Sequence, residues 1–94
     1  MDLIKEVKKR LHLYNIPYDK VELSPLPTKK IRLWINNKHI DYGLKGSNTW
    51  IEGATEIKKK SYQARASKIT NKKKEYTYLI PYTANFLSYW TLWT

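Results

Sequence analysis

Apolar side chains at Leu3, Ile4, Val7, Leu11 and Tyr14 recur at the three- and four-residue spacing of one helix face. Asp2 precedes them as a cap, and Asn15 and Pro17 follow as terminators, so the spacing predicts an amphipathic helix within residues 1–17. Residues 18–30 read as an extended linker, because Ser24-Pro25-Leu26-Pro27 excludes helix and favours polyproline or edge-strand geometry. The period then changes. Ile31-Arg32-Leu33-Trp34-Ile35 alternates, Asn36-Asn37 is a two-residue turn, and Lys38-His39-Ile40-Asp41-Tyr42 alternates again, which predicts a β-hairpin. The turn sets the register: 35 opposes 38, 33 opposes 40 and 31 opposes 42. Ile31, Leu33, Ile35, Ile40 and Tyr42 then share a core face. The other face pairs Arg32 with Asp41 and Trp34 with His39. Thr49-Trp50-Ile51, between Gly46 and Gly53, is expected to add a third short strand.

Beyond Gly53 the apolar pattern weakens. Thr55 is placed to cap a helix over residues 56–69 whose stripe is only Ile57, Tyr62, Ala64, Ala66 and Ile69. A lysine-rich loop, Asn71-Lys72-Lys73-Lys74, follows, and a strand is expected from Tyr76 to Ile80, ended by Pro81. Thr83 caps a last helix with Phe86, Leu87, Trp90 and Trp93 on one stripe and no charge. The sum is an α+β fold in one domain: a hairpin or three-stranded antiparallel sheet packed with two or three helices, the last of them on the core face of the hairpin.

Charge sharpens this division. Residues 26–74 hold thirteen Lys or Arg against Asp41, Glu52 and Glu56, which supplies all of the net +10. Residues 75–94 have Glu75 alone and instead carry Tyr76, Tyr78, Tyr82, Phe86, Tyr89, Trp90 and Trp93. Clustered positive charge attracts polyanions, and clustered aromatics build a core or a contact surface. The absence of cysteine removes disulfides and thiolate metal sites. No apolar run is long enough for a transmembrane helix, and the N-terminus lacks the apolar stretch of a signal peptide, so a secreted protein is not expected.

The candidate chemistry is narrow. His12 and His39 are far apart, so no metal site and no cofactor are expected. Glu52 and Glu56 sit among lysines, where they read as solvated ion pairs rather than as an acid–base couple. Phosphate loops, nucleophile elbows and His-Glu helix motifs are absent, so the chain is expected to be non-enzymatic. Nucleic acid, DNA more than RNA, is the expected partner. Candidate contacts are Lys29, Lys30, Arg32, Trp34, Lys38 and Lys45 on and beside the hairpin, Lys58, Lys59, Lys60, Arg65 and Lys68 on the second helix, and Lys72, Lys73 and Lys74 in the loop. A two-stranded ribbon fits a major groove. Trp34 has two readings: packing against the first or last helix, or stacking on an unpaired base. Lysine dominates arginine, and lysine acts as a point charge, which favours binding without base specificity. The competing class is structural: a basic protein of a virion that meets acidic partners through its patch and its aromatic tail.

Two stretches also carry a family resemblance. Lys29-Lys30-Ile31-Arg32, Asp41-Tyr42-Gly43 and Gly46-Ser47-Asn48-Thr49-Trp50-Ile51 occur in order, followed by Lys58-Lys59-Lys60-Ser61-Tyr62-Gln63-Ala64-Arg65. The series closes with Tyr82-Thr83-Ala84-Asn85-Phe86-Leu87-Ser88-Tyr89-Trp90-Thr91-Leu92-Trp93. This order resembles the small basic proteins of unassigned activity encoded by nucleocytoplasmic large DNA viruses, the giant viruses. The chain departs from that pattern at Ala66, where the family has His, at Asn85, where it has Gly, and at Tyr89, where it has Arg. The resemblance implies a viral protein of the virion or the infected host cell, associated with the genome or with the capsid.

Overall fold

A computed structural model describes residues 2–94. The first helix, α1 (Leu3–Leu13), starts where the carboxylate of Asp2 accepts a hydrogen bond from the Lys5 amide at 3.2 Å. It buries Val7 and Leu11 completely, which is the face its spacing predicts. Asn15 takes up a left-handed φ of 54°, and the Ile16 amide reaches back to the Leu11 carbonyl at 2.8 Å, so the helix end is satisfied and the chain turns.

Residues 20–23 are the first correction, because they form a strand rather than a linker. β1 (Lys20–Leu23) pairs antiparallel with β2 (Lys29–Ile35), Val21 opposite Leu33 and Glu22 opposite Arg32. Only Val21 of this strand is buried, so its alternation is too short to stand out. It forms because β2 offers an open edge, and an edge strand tolerates the prolines that follow. β3 (Lys38–Leu44) completes a sheet of order β1-β2-β3. The β2–β3 register is the one the two-residue turn imposes: Ile35 with Lys38, Leu33 with Ile40, Ile31 with Tyr42, Arg32 with Asp41 and Trp34 with His39. Asn36 and Asn37 both have positive φ, 51° and 63°, which matches the right-handed twist of the strands.

The third strand is therefore β1 and not Thr49-Trp50-Ile51. Trp50–Glu52 is a 3-10 turn, held because the Glu52 carboxylate captures both the Thr49 amide (3.2 Å) and the Thr49 hydroxyl (2.6 Å). α2 (Glu56–Ala66) begins at the expected cap, Thr55, but ends three residues short of Ile69. Asn85 explains the early stop: its side-chain amide donates to the Ala66 carbonyl at 2.9 Å and closes the helix end. The strand expected at Tyr76–Ile80 is also a 3-10 turn, over Thr77–Leu79, pinned by the Thr83 hydroxyl to the carbonyls of Thr77 and Ile80. Tyr76 retains one bridge, to Thr70.

α3 (Ala84–Leu92) starts at Thr83, whose hydroxyl accepts from the Phe86 amide at 3.1 Å. With α1 it covers the sheet face of Ile31, Leu33 and Tyr42, adding Leu87, Leu92 and Trp93 to a continuous core. Of the expected stripe, Leu87 and Trp93 are in the core, but the rest differs. Leu87, Ser88, Thr91 and Leu92 face inward, while Phe86 and Trp90 are half-buried. The polar members are allowed inside because each is paired. Thr91 meets the Tyr42 hydroxyl at 2.9 Å, and Ser88 meets the Tyr62 hydroxyl at 2.8 Å. Burial pushes the Tyr42 hydroxyl well above its ordinary pKa, against the milder opposing effect of the Thr91 hydrogen bond, so it stays neutral. Among the described residues no helix is long and apolar enough to cross a membrane.

Candidate nucleic-acid interface

Alternation along β2 and β3, with β1 added, brings Lys20, Glu22, Arg32, Trp34, His39 and Asp41 to the outer face of the sheet. Arg32 grips Asp41 with two hydrogen bonds, Nε at 2.9 Å and Nη2 at 3.1 Å. The Ser24 hydroxyl donates to the same carboxylate at 2.8 Å, and His39 lies 3.5 Å from it. The Arg32 hydrogen bond therefore holds Asp41 below the usual carboxylate range, and Asp41 in turn raises the Arg32 guanidinium. Trp34 packs against neither helix. Its indole N–H donates to Glu22 at 2.6 Å, which lowers the Glu22 pKa, and its ring lies 4.9 Å from that of His39. Lys20 closes the set at 3.5 Å from Glu22. Arg32 and Trp34, expected as phosphate and base contacts, are thus occupied by partners within the fold.

Lys30 is a second redirected residue. Gly43, with φ of 79°, leaves room beside it that a side chain would fill: a Cβ there would lie 2.8 Å from Leu92 and 3.1 Å from Lys30. Lys30 lies buried in this space and donates to Glu52 at 2.7 Å and to the Ser47 carbonyl at 2.6 Å. Glu52, read from sequence as solvated, is instead half of this internal pair. Burial would raise its carboxyl, but the Lys30 and Thr49 hydrogen bonds outweigh burial and lower it. Only Glu56 keeps the expected solvated pairing, with Lys60 at 3.5 Å.

The remaining candidates are different. Lys58, Lys60 and Arg65 are exposed on α2, Lys68 is exposed in the turn just past its end, and Lys72, Lys73 and Lys74 are exposed in the loop beyond. Among the described residues, only Lys60 of these seven lies within 4 Å of a carboxylate. The helix turns its sparse inner stripe, Tyr62, Gln63 and Ala66, toward α3. There Tyr62 stacks on Trp93 at 4.3 Å and Gln63 donates to the Trp93 carbonyl at 2.8 Å. Lys59 sits half-buried with its ammonium 4.3 Å above the Trp50 ring. Lys38 and Lys45 are exposed at the two ends of β3, and Lys29 is half-buried in β2.

The lysine loop is ordered by a residue that its charges obscured. Asn71 Oδ1 accepts from the amides of Lys73 (2.9 Å) and Glu75 (3.1 Å), and its carbonyl accepts from the Lys74 amide at 3.0 Å. Lys74 takes a left-handed φ of 61°. The three lysines therefore project from a fixed turn. Asn before a polar run is the sequence signal of such a turn. Comparison of the chain with protein families, with curated proteins and with solved structures finds no match to any of the three.

Proposed function

We propose that this protein binds nucleic acid without catalysing a reaction on it, through phosphate contacts made by α2 and the loop that follows. One observation carries the reading: Lys58, Lys60, Arg65, Lys68, Lys72, Lys73 and Lys74 are exposed, and all but Lys60 lack a carboxylate partner among the described residues. Unpaired cations held on a folded surface release counterions from a polyanion when they bind it. The paired outer face of the sheet contributes little to this field, so the contact surface is narrower than the charge count implies. Lys38 and Lys45 lie at its margin. A role beside the genome of a large DNA virus, with the protein in the virion or the infected cell, belongs to the same proposal and rests on the sequence resemblance.

The alternative, contact with acidic virion proteins through the patch and an aromatic tail, has less support. Leu92 and Trp93 at the end of that tail are in the core, and Trp90 donates its indole N–H to the Tyr78 carbonyl at 2.8 Å. Gel-shift titration of random-sequence duplex DNA at low and rising salt tests the proposal. Micromolar or tighter binding that weakens steeply with salt is expected. No shift at low salt overturns it.

A further inference from the structure

One cleft of about 300 Å³ opens between the inner flank of α2, the Leu44–Thr49 segment and the end of α3. Lys58 and Arg65 line one wall, seven residues apart and therefore on nearly the same side of the helix, about 10 Å apart along its axis. Tyr62 lies between them. Ser47 and Thr49 line the cleft from the segment after β3, and Ser88 and Trp93 from α3 and its end. No carboxylate is among the lining residues, since Glu52 is engaged by Lys30 and Thr49.

The polar groups favour an anion. Tyr62 Oη and Ser88 Oγ are 2.8 Å apart, and either can donate. Whichever accepts keeps its own O–H proton free for a third group, so the pair always retains one donor. The Ser47 carbonyl is already engaged by Lys30, while its hydroxyl makes no hydrogen bond among the described residues. Two cations without a carboxylate partner among the described residues, two available hydroxyl donors and the exposed apolar side chain of Leu44 match a charged head joined to a weakly polar body.

We infer that this cleft takes a phosphate monoester carried on a nucleoside, with Lys58, Arg65 and the Tyr62–Ser88 hydroxyl pair around the phosphate. A monoester dianion gains more from two cations lining one cleft than the single charge of an internal phosphodiester does. The size suits one nucleotide, not a duplex. The inference deepens the nucleic-acid reading and rests on it, because Lys58 and Arg65 belong to the same surface. The ligand has two sources: a free nucleotide, or the phosphorylated end of a strand.

The test titrates the ¹⁵N-labelled protein with adenosine 5′-monophosphate, adenosine and inorganic phosphate at fixed ionic strength, followed by amide shifts. The monophosphate is expected to move Ser47, Tyr62, Arg65 and Ser88 in a saturable way, inorganic phosphate to move the same set more weakly, and adenosine to leave it unmoved. Arg65→Gln is expected to weaken the monophosphate by about tenfold. Lys9→Gln, exposed on α1 and outside the cleft lining, is expected to leave it unchanged. A 5′-phosphorylated oligonucleotide that binds about tenfold tighter than its 5′-hydroxyl twin assigns the site to strand ends. Equal affinities with monophosphate binding retained assign it to free nucleotides. Absent or unlocalised shifts, or equal losses in Arg65→Gln and Lys9→Gln, overturn the cleft. If duplex DNA still binds with steep salt dependence, only the cleft falls. If duplex binding fails while the monophosphate still binds at these residues, the nucleic-acid reading falls and the cleft stands.

Discussion

The sheet and α2 are both basic in sequence, yet their charges end in opposite conditions. On the outer face of the sheet, strand pairing sets Arg32 opposite both Asp41 and Glu22, and Lys20 lies 3.5 Å from Glu22, so the cations in the middle of that face have anions within one strand spacing. On α2, Lys58, Lys59 and Lys60 point to three sides of one turn, and the only acid a turn away is Glu56. A helix neutralises itself only through partners three or four residues off, and Lys58, Arg65 and Lys68 have none. Cations thus end on a self-paired face where acids lie opposite them across the strands, and on an open cationic face where a helix offers Glu56 alone. Charge counted along a chain measures what is present. Charge available to a partner depends on register.

Both regions hang on α3, so its core side chains give the largest expected effect. Leu87 is fully buried between α3 and the sheet. Leu87→Ala is expected to cost about 2–5 kcal/mol, and in a chain this small the sheet and α2 should melt together. Denaturation followed by tryptophan fluorescence and by far-ultraviolet circular dichroism checks it. Separate transitions break the premise that one core supports both faces. Second comes the Lys30–Glu52 pair, with side chains 9% and 22% exposed. Glu52→Gln leaves the Lys30 ammonium buried without its counter-charge and is expected to cost about 2 kcal/mol. A change much smaller than this in urea denaturation means that water replaces the carboxylate, and that Lys30 is more open than its geometry indicates.

Much of this was legible before the structure. The hairpin, its register and its Asn36-Asn37 turn follow from alternation on either side of two residues able to adopt positive φ. The caps Asp2, Thr55 and Thr83 also hold, because capping needs only a short polar side chain before an apolar stripe. What escaped was set by partners distant in sequence. β1 exists because β2 had an open edge. The Thr49-Trp50-Ile51 segment curls because Glu52 ties back to Thr49, and α2 stops at Ala66 because Asn85 reaches it. The stripe of α3 was right at Leu87 and Trp93 but missed Ser88 and Thr91, which look outward-facing until Tyr62 and Tyr42 are known to meet them. Of the candidate site, Lys58, Lys60 and Arg65 lie on the helix and Lys72, Lys73 and Lys74 in the loop as expected, while Lys68 falls past the helix end and Lys59 folds over Trp50. The pairing of Arg32 with Asp41 followed from the hairpin register, whereas the engagement of Trp34 by Glu22 of β1 and of Lys30 by Glu52 of the 3-10 turn is announced by no local pattern.

Acid pH should separate the two faces more gently. Trp34, Arg32 and Lys30 hydrogen bonds hold Glu22, Asp41 and Glu52 below their ordinary pKa values in the fold. A carboxyl with a lowered folded pKa stabilises the fold above its unfolded value and loses that contribution as pH falls through the folded value. The melting temperature should therefore be flat from neutrality to about pH 5 and fall below about pH 4. Glu52→Gln should flatten part of that fall. A melting curve insensitive to acid means the sheet carboxylates are not held as the structure places them.

The smallest effect on stability is expected where the effect on binding is largest. Replacing Lys68, Lys72, Lys73 and Lys74 together by Gln removes four exposed charges with no carboxylate partner among the described residues. Stability should stay within about 0.5 kcal/mol of the parent, since no cap, core contact or ion pair is lost. Binding to duplex DNA should weaken at low salt, and the slope of log affinity against log salt should shrink by about 0.9 for each lysine that met a phosphate. Arg32→Gln provides the opposite arm: it breaks the two-point grip on Asp41, so it should lower the melting temperature and leave the salt slope where it was. If instead Arg32→Gln shrinks the slope and the fourfold variant does not, the binding charge lies on the sheet. The distinction between a paired and an open face would then be reversed, because Arg32 would have to leave Asp41 for a phosphate at a cost the measured affinity must repay.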